Sequence, residues 1–389
     1  MPVRATKRGA ERTPLGGSFD VLVCGASFAG LTVARELAGA GANVLLLDRY
    51  EIGERQTSAC AAPTEWLARL GLERSVRQTF DEVVVHTPSG SSRWRLPWTF
   101  STFDYRELCE LLWARCGEAR FETATVSGRA PADGAAPAAE IVVRTDRGDV
   151  RAPLVVDALG WRRVLSTALD PIQPPQARLS RGLEVHPRGR GRHMELWLDP
   201  RYVAPGYSWS FPAGDEVRIG VGSFDPRLHV KEPTVRLAGD VGRPLVGYQG
   251  NWIPHEMRDP VEDGVFFCGD SAGHCMPTTA EGIRPAFYFA LACARELRLV
   301  LEGAQTREQA LERYAAFCEG KRRAWRWLLR MQRAVGPLNE RGLLALGARA
   351  VSRPRFTRWA FGRYLGICPP ELADERPVCG SGSCCGASR

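Results

Sequence analysis

Residues 19–24, Phe-Asp-Val-Leu-Val-Cys, form an apolar run of strand length that Gly25-Ala26-Ser27-Phe28-Ala29-Gly30 cuts short. Leu31 to Gly41 follows with helical spacing. Asn43 to Leu47 is a second apolar β run, ending at Asp48 and Arg49. A β–turn–α–β unit within about 30 residues, with glycines at both ends of its turn, is the pattern that cradles a dinucleotide. Gly25 permits the tight turn, and Gly30 allows close packing of helix on strand. The helix N-terminus offers unpaired N–H groups and a positive dipole end to a pyrophosphate. Asp48, 18 residues after Gly30, suits a carboxylate accepting hydrogen bonds from a ribose. Ser27 replaces the middle glycine of the pattern. It is small enough to fit, and its hydroxyl can donate to phosphate.

The chain has 389 residues, 44% of them hydrophobic and 25% charged, which excludes a disordered, collagen-like or coiled-coil chain. No apolar stretch reaches membrane-spanning length. Residues 1–18 are basic and rich in Pro and Gly without an apolar core, so they are expected to form a loose tail rather than a secretory signal. The net charge is +8, carried almost wholly by arginine; Lys7, Lys231 and Lys321 are the lysines. That balance suits an anionic partner. No nucleic-acid motif accompanies it, so nucleic acid is not expected as a partner. Twelve cysteines without a secretion signal are expected to be reduced and mostly buried in a cytoplasmic protein.

The expected organisation follows from composition shifts. Residues 1–18 are the tail and 19–165 the first part of a dinucleotide-binding domain, with some substrate region at 60–100. Residues 166–255 alternate and are punctuated by Gly and Pro, which predicts an inserted antiparallel sheet. Residues 256–304 return to the nucleotide-binding layer through the strand 265–268 and a long helix from about 282. Helices are also expected over 64–72 and 104–117, with Asp104 as N-cap, and strands over 141–145 and 153–158. Residues 124–139 read as a hairpin loop, 305–335 as helical, 336–366 as broken by Gly and Pro, and 367–389 as a cysteine-containing tail.

A second motif lies late in the chain: Val265-Phe266-Phe267-Cys268-Gly269-Asp270-Ser271-Ala272-Gly273-His274, followed by Pro277-Thr278-Thr279-Ala280-Glu281-Gly282-Ile283. With the N-terminal turn, it resembles the FAD-binding domain of the flavoprotein monooxygenase and reductase superfamily. The resemblance implies an α/β fold: a Rossmann-type FAD-binding domain, an inserted antiparallel substrate sheet and a C-terminal helical segment. It implies FAD as cofactor, with Asp270 on the ribityl chain. Backbone N–H groups near Gly282 and Ile283 would face the flavin pyrimidine edge. Arg106 matches an arginine that contacts FAD in this superfamily. His274 and Cys275 lack further ligands at zinc spacing, so no metal is expected.

Tyr207, Trp209 and Phe211 alternate within Pro205-Gly206-Tyr207-Ser208-Trp209-Ser210-Phe211-Pro212, so on a strand all three share one face. The segment, with its hairpin and Gly-Val-Gly ending, resembles the Tyr-x-Trp-x-Phe-Pro motif of geranylgeranyl reductases, in which an aromatic strand lines an apolar cavity over the flavin. Cys60, shortly after Ile52-Gly53, is similar to a cysteine of archaeal prenyl reductases, with a longer spacing. A thiol there could supply a proton or take part in redox chemistry; the other reading is a buried inert cysteine. Leu159 stands where NAD(P)H-using flavin hydroxylases carry an aspartate. Asp157 and Arg162 are expected to bond local backbone. Flavin-dependent halogenases carry a similar aromatic strand but need a lysine after the first βαβ unit, and none lies between Lys7 and Lys231.

The resemblance implies a geranylgeranyl reductase-type enzyme that reduces C=C bonds of a prenyl lipid or related apolar substrate. The alternatives are an FAD-dependent monooxygenase in a biosynthetic pathway and an electron-transfer flavoprotein, the latter disfavoured by the absence of iron–sulfur cysteine spacing. The electron donor stays open among NAD(P)H, ferredoxin and others. Residues 321–363 hold twelve Lys/Arg against one acid, Glu340, interleaved with Trp325, Trp327, Trp359 and Phe361. That pattern suits peripheral contact with the inner surface of a membrane, or a helical domain that packs its aromatics inside. Cys379, Cys384 and Cys385 resemble the tail thiols of disulfide-active flavoenzymes; the other reading is a tail of no consequence.

Overall fold

The computed structural model describes residues 13–56, 58–130, 140–167, 179–340 and 343–374. The chain begins with β1 (Gly17–Ser18), β2 (Val21–Cys24), α1 (Phe28–Glu36) and β3 (Val44–Asp48). Next come β4 (Ala61–Pro63), α2 (Thr64–Arg69), β5 (Val76–Thr87), β6 (Gly90–Phe103) and α3 (Tyr105–Trp113). A run of strands follows: β7 (Arg120–Thr123), β8 (Val126–Arg129), β9 (Ile141–Thr145), β10 (Gly148–Ala152), β11 (Leu154–Asp157), β12 (Leu179–Val185), β13 (Met194–Trp197), β14 (Gly206–Ala213) and β15 (Glu216–Ser223). Then come α4 (Lys231–Asp240), β16 (Gln249–Pro254), β17 (Val261–Glu262) and β18 (Val265–Phe267), and last the helices α5 (Ile283–Leu301), α6 (Arg307–Glu340), α7 (Leu343–Val351) and α8 (Pro354–Leu365).

The first layer is a six-stranded sheet in the order β17-β18-β11-β2-β3-β7. All its pairs are parallel except β17 with β18. Every residue of β2, β11 and β18 is buried, which explains why these segments read as unbroken apolar runs: a parallel sheet is covered on both faces. α1 and α5 cover one face, and a four-stranded sheet, β1-β10-β9-β8, lies over the other. The largest sheet has eight strands, β16-β12-β15-β14-β13-β5-β6-β4, and pairs antiparallel except β13 with β5. The fold is thus the expected α/β combination of a Rossmann-type layer, a mostly antiparallel sheet and a helical C-terminal segment.

Several local expectations change. Leu15 is buried and β1 pairs with β10, so residues 15–18 are anchored rather than loose. β8 occupies part of the stretch read as a hairpin loop, because Val126 buries its side chain against the four-stranded sheet. α4 interrupts the alternating region. Residues 336–366, read as broken, are mostly helical, since Pro354 sits in the first turn of α8, where its missing N–H costs nothing. Residues 367–374 pack against the body: the Cys368 carbonyl accepts from Trp66 Nε1 at 3.3 Å and from Arg284 Nη1 at 3.3 Å. Cys379, Cys384 and Cys385 lie outside the described residues. Among the described residues, nine cysteines are free and buried, and no helix is long and apolar enough to cross a membrane.

The register of the large sheet explains the Gly-Val-Gly ending. Gly220 stands opposite both Trp209 and Glu184. A Cβ there would lie 2.2 Å from Trp209 Cζ2 and 2.8 Å from Glu184 Cβ, so the indole lies flat over a position that has no side chain. Gly220→Ala is therefore expected to destabilise the fold by about 1–3 kcal/mol in urea denaturation. Most of that cost should vanish in a Trp209→Ala background, because the clash goes with the ring. Equal costs in the two backgrounds would contradict the packing described.

Candidate active site

The Gly25 turn is built as tightly as its sequence suggests. Gly25 has φ +111°, and a Cβ on it would meet the Ala158 carbonyl oxygen at 2.2 Å. A Cβ on Gly30 would meet the Gly25 carbonyl oxygen at 1.8 Å. Asp48 locks the turn: one carboxylate oxygen accepts from Ala26 N at 2.7 Å and the other from Tyr50 N at 3.0 Å. Burial pushes the Asp48 carboxyl up, and these backbone donors oppose the shift. Ser27 Oγ accepts from Tyr105 Oη at 3.1 Å, which leaves its own hydrogen available. Phe28 packs edge-on against Phe103, Tyr105 and Phe287. Arg49 lies 4.9 Å over the Tyr50 ring.

These groups border one large cavity of about 1350 Å³. Ser27, Phe28, Ala29, Asp48 and Arg49 line one part of it, with Asp270, Gly282 and Ile283 beside them. Tyr207, Trp209 and Phe211 line the other part as one aromatic wall, with successive ring centroids 5.9 and 6.5 Å apart. Cys60 also lines the cavity. Arg106 does not. The Asp104 N-cap, which accepts from Glu107 N at 2.9 Å, sets the phase of α3 so that Tyr105 faces inward and Arg106 is exposed, its Cα against Gly53.

Asp270 is a shifted carboxyl on the cavity wall. Burial raises its carboxyl to about 6, and the charge of Arg258 pulls the other way. Among the described residues, no hydrogen-bond donor serves this half-buried carboxylate, which borders the cavity. Gly282 lies beside it: a Cβ there would sit 3.6 Å from Asp270 Oδ1. Gly282 is the N-cap of the 19-residue helix α5, whose free N–H groups and dipole face the same space. The preceding turn holds Ala280 in the left-handed region at φ +52°. It is braced from α8, where Tyr364 Oη pairs with Thr279 Oγ1 at 2.6 Å and with Glu281. Tyr207 Oη donates to the Thr279 carbonyl, which ties the aromatic wall to the same turn.

Sequence reasoning missed the polar group behind Trp209. Trp209 Nε1 donates to Glu184 at 3.1 Å, and Glu184 also pairs with His186 Nε2 at 3.0 Å and with Gln249. Burial alone would raise the Glu184 carboxyl; His186 and Gln249 hold it below the usual range instead. Arg218, also buried, donates to the carbonyls of Ala59 at 2.8 Å and Cys60 at 3.2 Å. That grip fixes Cys60, which is left-handed at φ +50°. Burial keeps its thiol well above the ordinary range and hence protonated. Only proximity in the folded sheet brings these residues together, and no local spacing announces them.

Two other expectations divide. Asp157 bonds local structure as read, accepting from Leu159 N at 2.9 Å, Leu165 N at 2.8 Å and Ser271 Oγ at 2.7 Å. Arg162 does not; it is exposed, 5.2 Å over the Trp161 ring. The next residue, Arg163, is buried and donates to the Asp259 and Ser271 carbonyls. His274 stacks on Phe289 with centroids 3.7 Å apart, and burial lowers its imidazole to about 3, so it is neutral. Among the described residues, no group of three or more His, Cys, Asp or Glu could hold a metal.

The family model described as lycopene cyclase protein matches residues 20–189. Digeranylgeranylglycerophospholipid reductase 1 of Methanopyrus kandleri is 27% identical over 299 residues, which cover 71% of this chain and 78% of that protein. A geranylgeranyl bacteriochlorophyll reductase-like protein from Thermoplasma acidophilum superposes with a TM-score of 0.79 at 18% identity, covering 92% of this chain and 98% of that one. The myxobacterial chondrochloren halogenase CndH, a variant of FAD-dependent halogenases, shares the fold at a TM-score of 0.64 and 16% identity, covering 92% and 96%. The chain is thus similar in sequence to digeranylgeranylglycerophospholipid reductases and shares its fold with a geranylgeranyl bacteriochlorophyll reductase-like protein and an FAD-dependent halogenase.

Proposed function

We propose that the protein is an FAD-dependent reductase that saturates C=C bonds of a prenyl lipid or a related apolar chain. One observation carries this reading: the aromatic wall of Tyr207, Trp209 and Phe211 borders the same cavity as the glycine turn, Asp48 and Asp270. The residues present fit FAD. The Gly25–Gly30 turn and the α1 N-terminus suit a pyrophosphate, and Asp48 suits a ribose. The unpartnered Asp270 carboxylate suits the ribityl hydroxyls, and the α5 N-terminus at Gly282 and Ile283 suits the pyrimidine edge.

When bound and reduced, the flavin supplies a hydride; the protein's part is to hold the alkene and provide a proton. An isolated alkene has no polar handle, so its recognition rests on shape and burial. The three rings, with Val83, Leu96 and Met194 beside them, form an apolar surface. Trp209 is fixed from behind by Glu184, so the wall keeps its shape when the cavity fills. Cys60 borders the same space and its thiol retains a proton at neutral pH, which suits it to complete the saturated product. Each event then adds one hydride and one proton to a C=C bond.

The reaction is tested by reducing the FAD-loaded protein with dithionite under argon, adding a geranylgeranyl phospholipid and analysing the lipid by mass. A gain of two hydrogens per event is expected, and Trp209→Ala should slow it by about tenfold or more while FAD stays bound. A product that forms only in air and carries a new oxygen would make the protein a monooxygenase.

The cofactor assignment predicts a pH dependence. Hydroxyl donors favour the ionised form of Asp270, whose carboxyl sits at about 6 without a ligand. FAD affinity should therefore fall as pH drops below 6, by about tenfold per unit. Asp270→Asn should weaken binding at pH 8 by about tenfold or more and flatten this dependence. An unchanged affinity and pH profile, read by flavin fluorescence titration, would remove Asp270 from the cofactor site.

A further inference from the structure

Met331 and Leu338 of α6 and Phe356 of α8 line the cavity, yet they are 42%, 36% and 44% exposed. The cavity therefore reaches the surface through the face built by α6, α7 and α8. More large apolar side chains stand around that opening: Trp327, Leu343, Leu346 and Trp359, between 42% and 60% exposed. On α6, Trp327, Met331 and Leu338 recur at helical spacing and form one stripe. On α7, Leu344, Gly347 and Val351 face the cavity, while Leu343 and Leu346 are turned outward. Phe356 and Trp359 pair at 5.4 Å. A contiguous apolar surface of this kind marks a partner.

The charge around it selects the partner. Residues 321–363 carry twelve Lys/Arg against Glu340. Arg326, Arg330, Arg333, Arg353, Arg355 and Arg358 are exposed, and among the described residues none of them has an acidic partner. A second copy of this chain would bring the same basic face against itself, and the repulsion opposes such a dimer. An anionic lipid surface instead matches the arginines with headgroups and the tryptophans with the interfacial layer.

We propose that α6, α7 and α8 form a docking face for an anionic bilayer, and that the cavity opens through this face toward the acyl chains. An apolar substrate would then pass from lipid to cavity between Met331, Leu338 and Phe356 without crossing water. The docking itself does not depend on which reaction the cavity performs.

The test is co-sedimentation of the full FAD-loaded chain with vesicles of equal parts phosphatidylglycerol and phosphatidylcholine, against vesicles of phosphatidylcholine alone. Binding to the anionic vesicles only, weakened by added salt, is expected. The triple variant Arg326→Glu, Arg330→Glu and Arg358→Glu should bind about 100-fold more weakly or worse. The pair Trp327→Ala and Trp359→Ala lines no part of the cavity. It should weaken binding by about tenfold and reduce the quenching of tryptophan fluorescence by brominated lipid. Unchanged circular dichroism and thermal melting identify the variants that remain folded, and either set alone suffices. No binding to anionic vesicles, binding that neither variant set weakens, or a solution dimer that buries Trp327 and Trp359 would overturn the proposal. None of these results would alter the hydrogen count of the lipid product, so failure of the docking face and failure of the reductase reading are separable.

Discussion

Between Gly25 and Gly30 there is no room for a methyl group. The Gly30 position lies against the Gly25 carbonyl, and the Gly25 position lies against the carbonyl of Ala158. Three elements, β2, α1 and β11, thus meet at one point with backbone on backbone. This contact fixes the direction in which α1 presents its free N–H groups. Asp48 secures the turn from β3, and Asp157 secures the end of β11 to Ser271, the neighbour of Asp270. The two ends of the glycine-turn half of the cavity are therefore held to one another through the parallel sheet. Without the two glycines, the helix could not approach, and the carboxylates would have nothing to frame.

The second half of the cavity rests on a different device. Gly220 leaves a gap in β15 that Trp209 fills, and Glu184 holds the indole nitrogen from behind. Glu184 is itself kept ionised in a buried place by His186 and Gln249, so the polar cluster beside the ring is engaged. Two non-glycine residues with left-handed backbone, Cys60 and Ala280, stand on the cavity wall. Each is braced, Cys60 through Arg218 and Ala280 through the bonds of Tyr364 to its neighbours. Strain of this kind persists where surrounding contacts enforce it, and both positions border the space assigned to chemistry.

Much of this was legible in the chain because it is written in short-range patterns. Glycines flanked by a strand and a helix, a carboxylate at the end of the next strand, and three aromatics at period two each require only a local rule. The structure places Ser27 of the glycine turn, Asp48, Asp270, Tyr207, Trp209 and Phe211 around one cavity. Long-range geometry was not legible. Glu184, His186 and Gln249 meet across β12 and β16, and nothing in their spacing signals it. Arg106 lies outside the lining of that cavity for a reason of helix phase: the Asp104 cap turns Tyr105 inward in its place. The helices α7 and α8 were masked by glycine and proline, although Pro354 sits where a helix tolerates it and Gly347 lines the cavity, where lack of a side chain leaves space.

The central claim is that one cavity holds a flavin at its glycine turn and an apolar chain at its aromatic wall. A crystal structure of the protein with FAD and a geranylgeranyl phospholipid tests it most directly. The account predicts ribityl hydroxyls on Asp270 and a pyrimidine edge at the N–H groups of Gly282 and Ile283. It also predicts an alkene held between the flavin ring and Trp209. A flavin bound elsewhere, or a lipid chain that never reaches the Tyr207-Trp209-Phe211 wall, would contradict it.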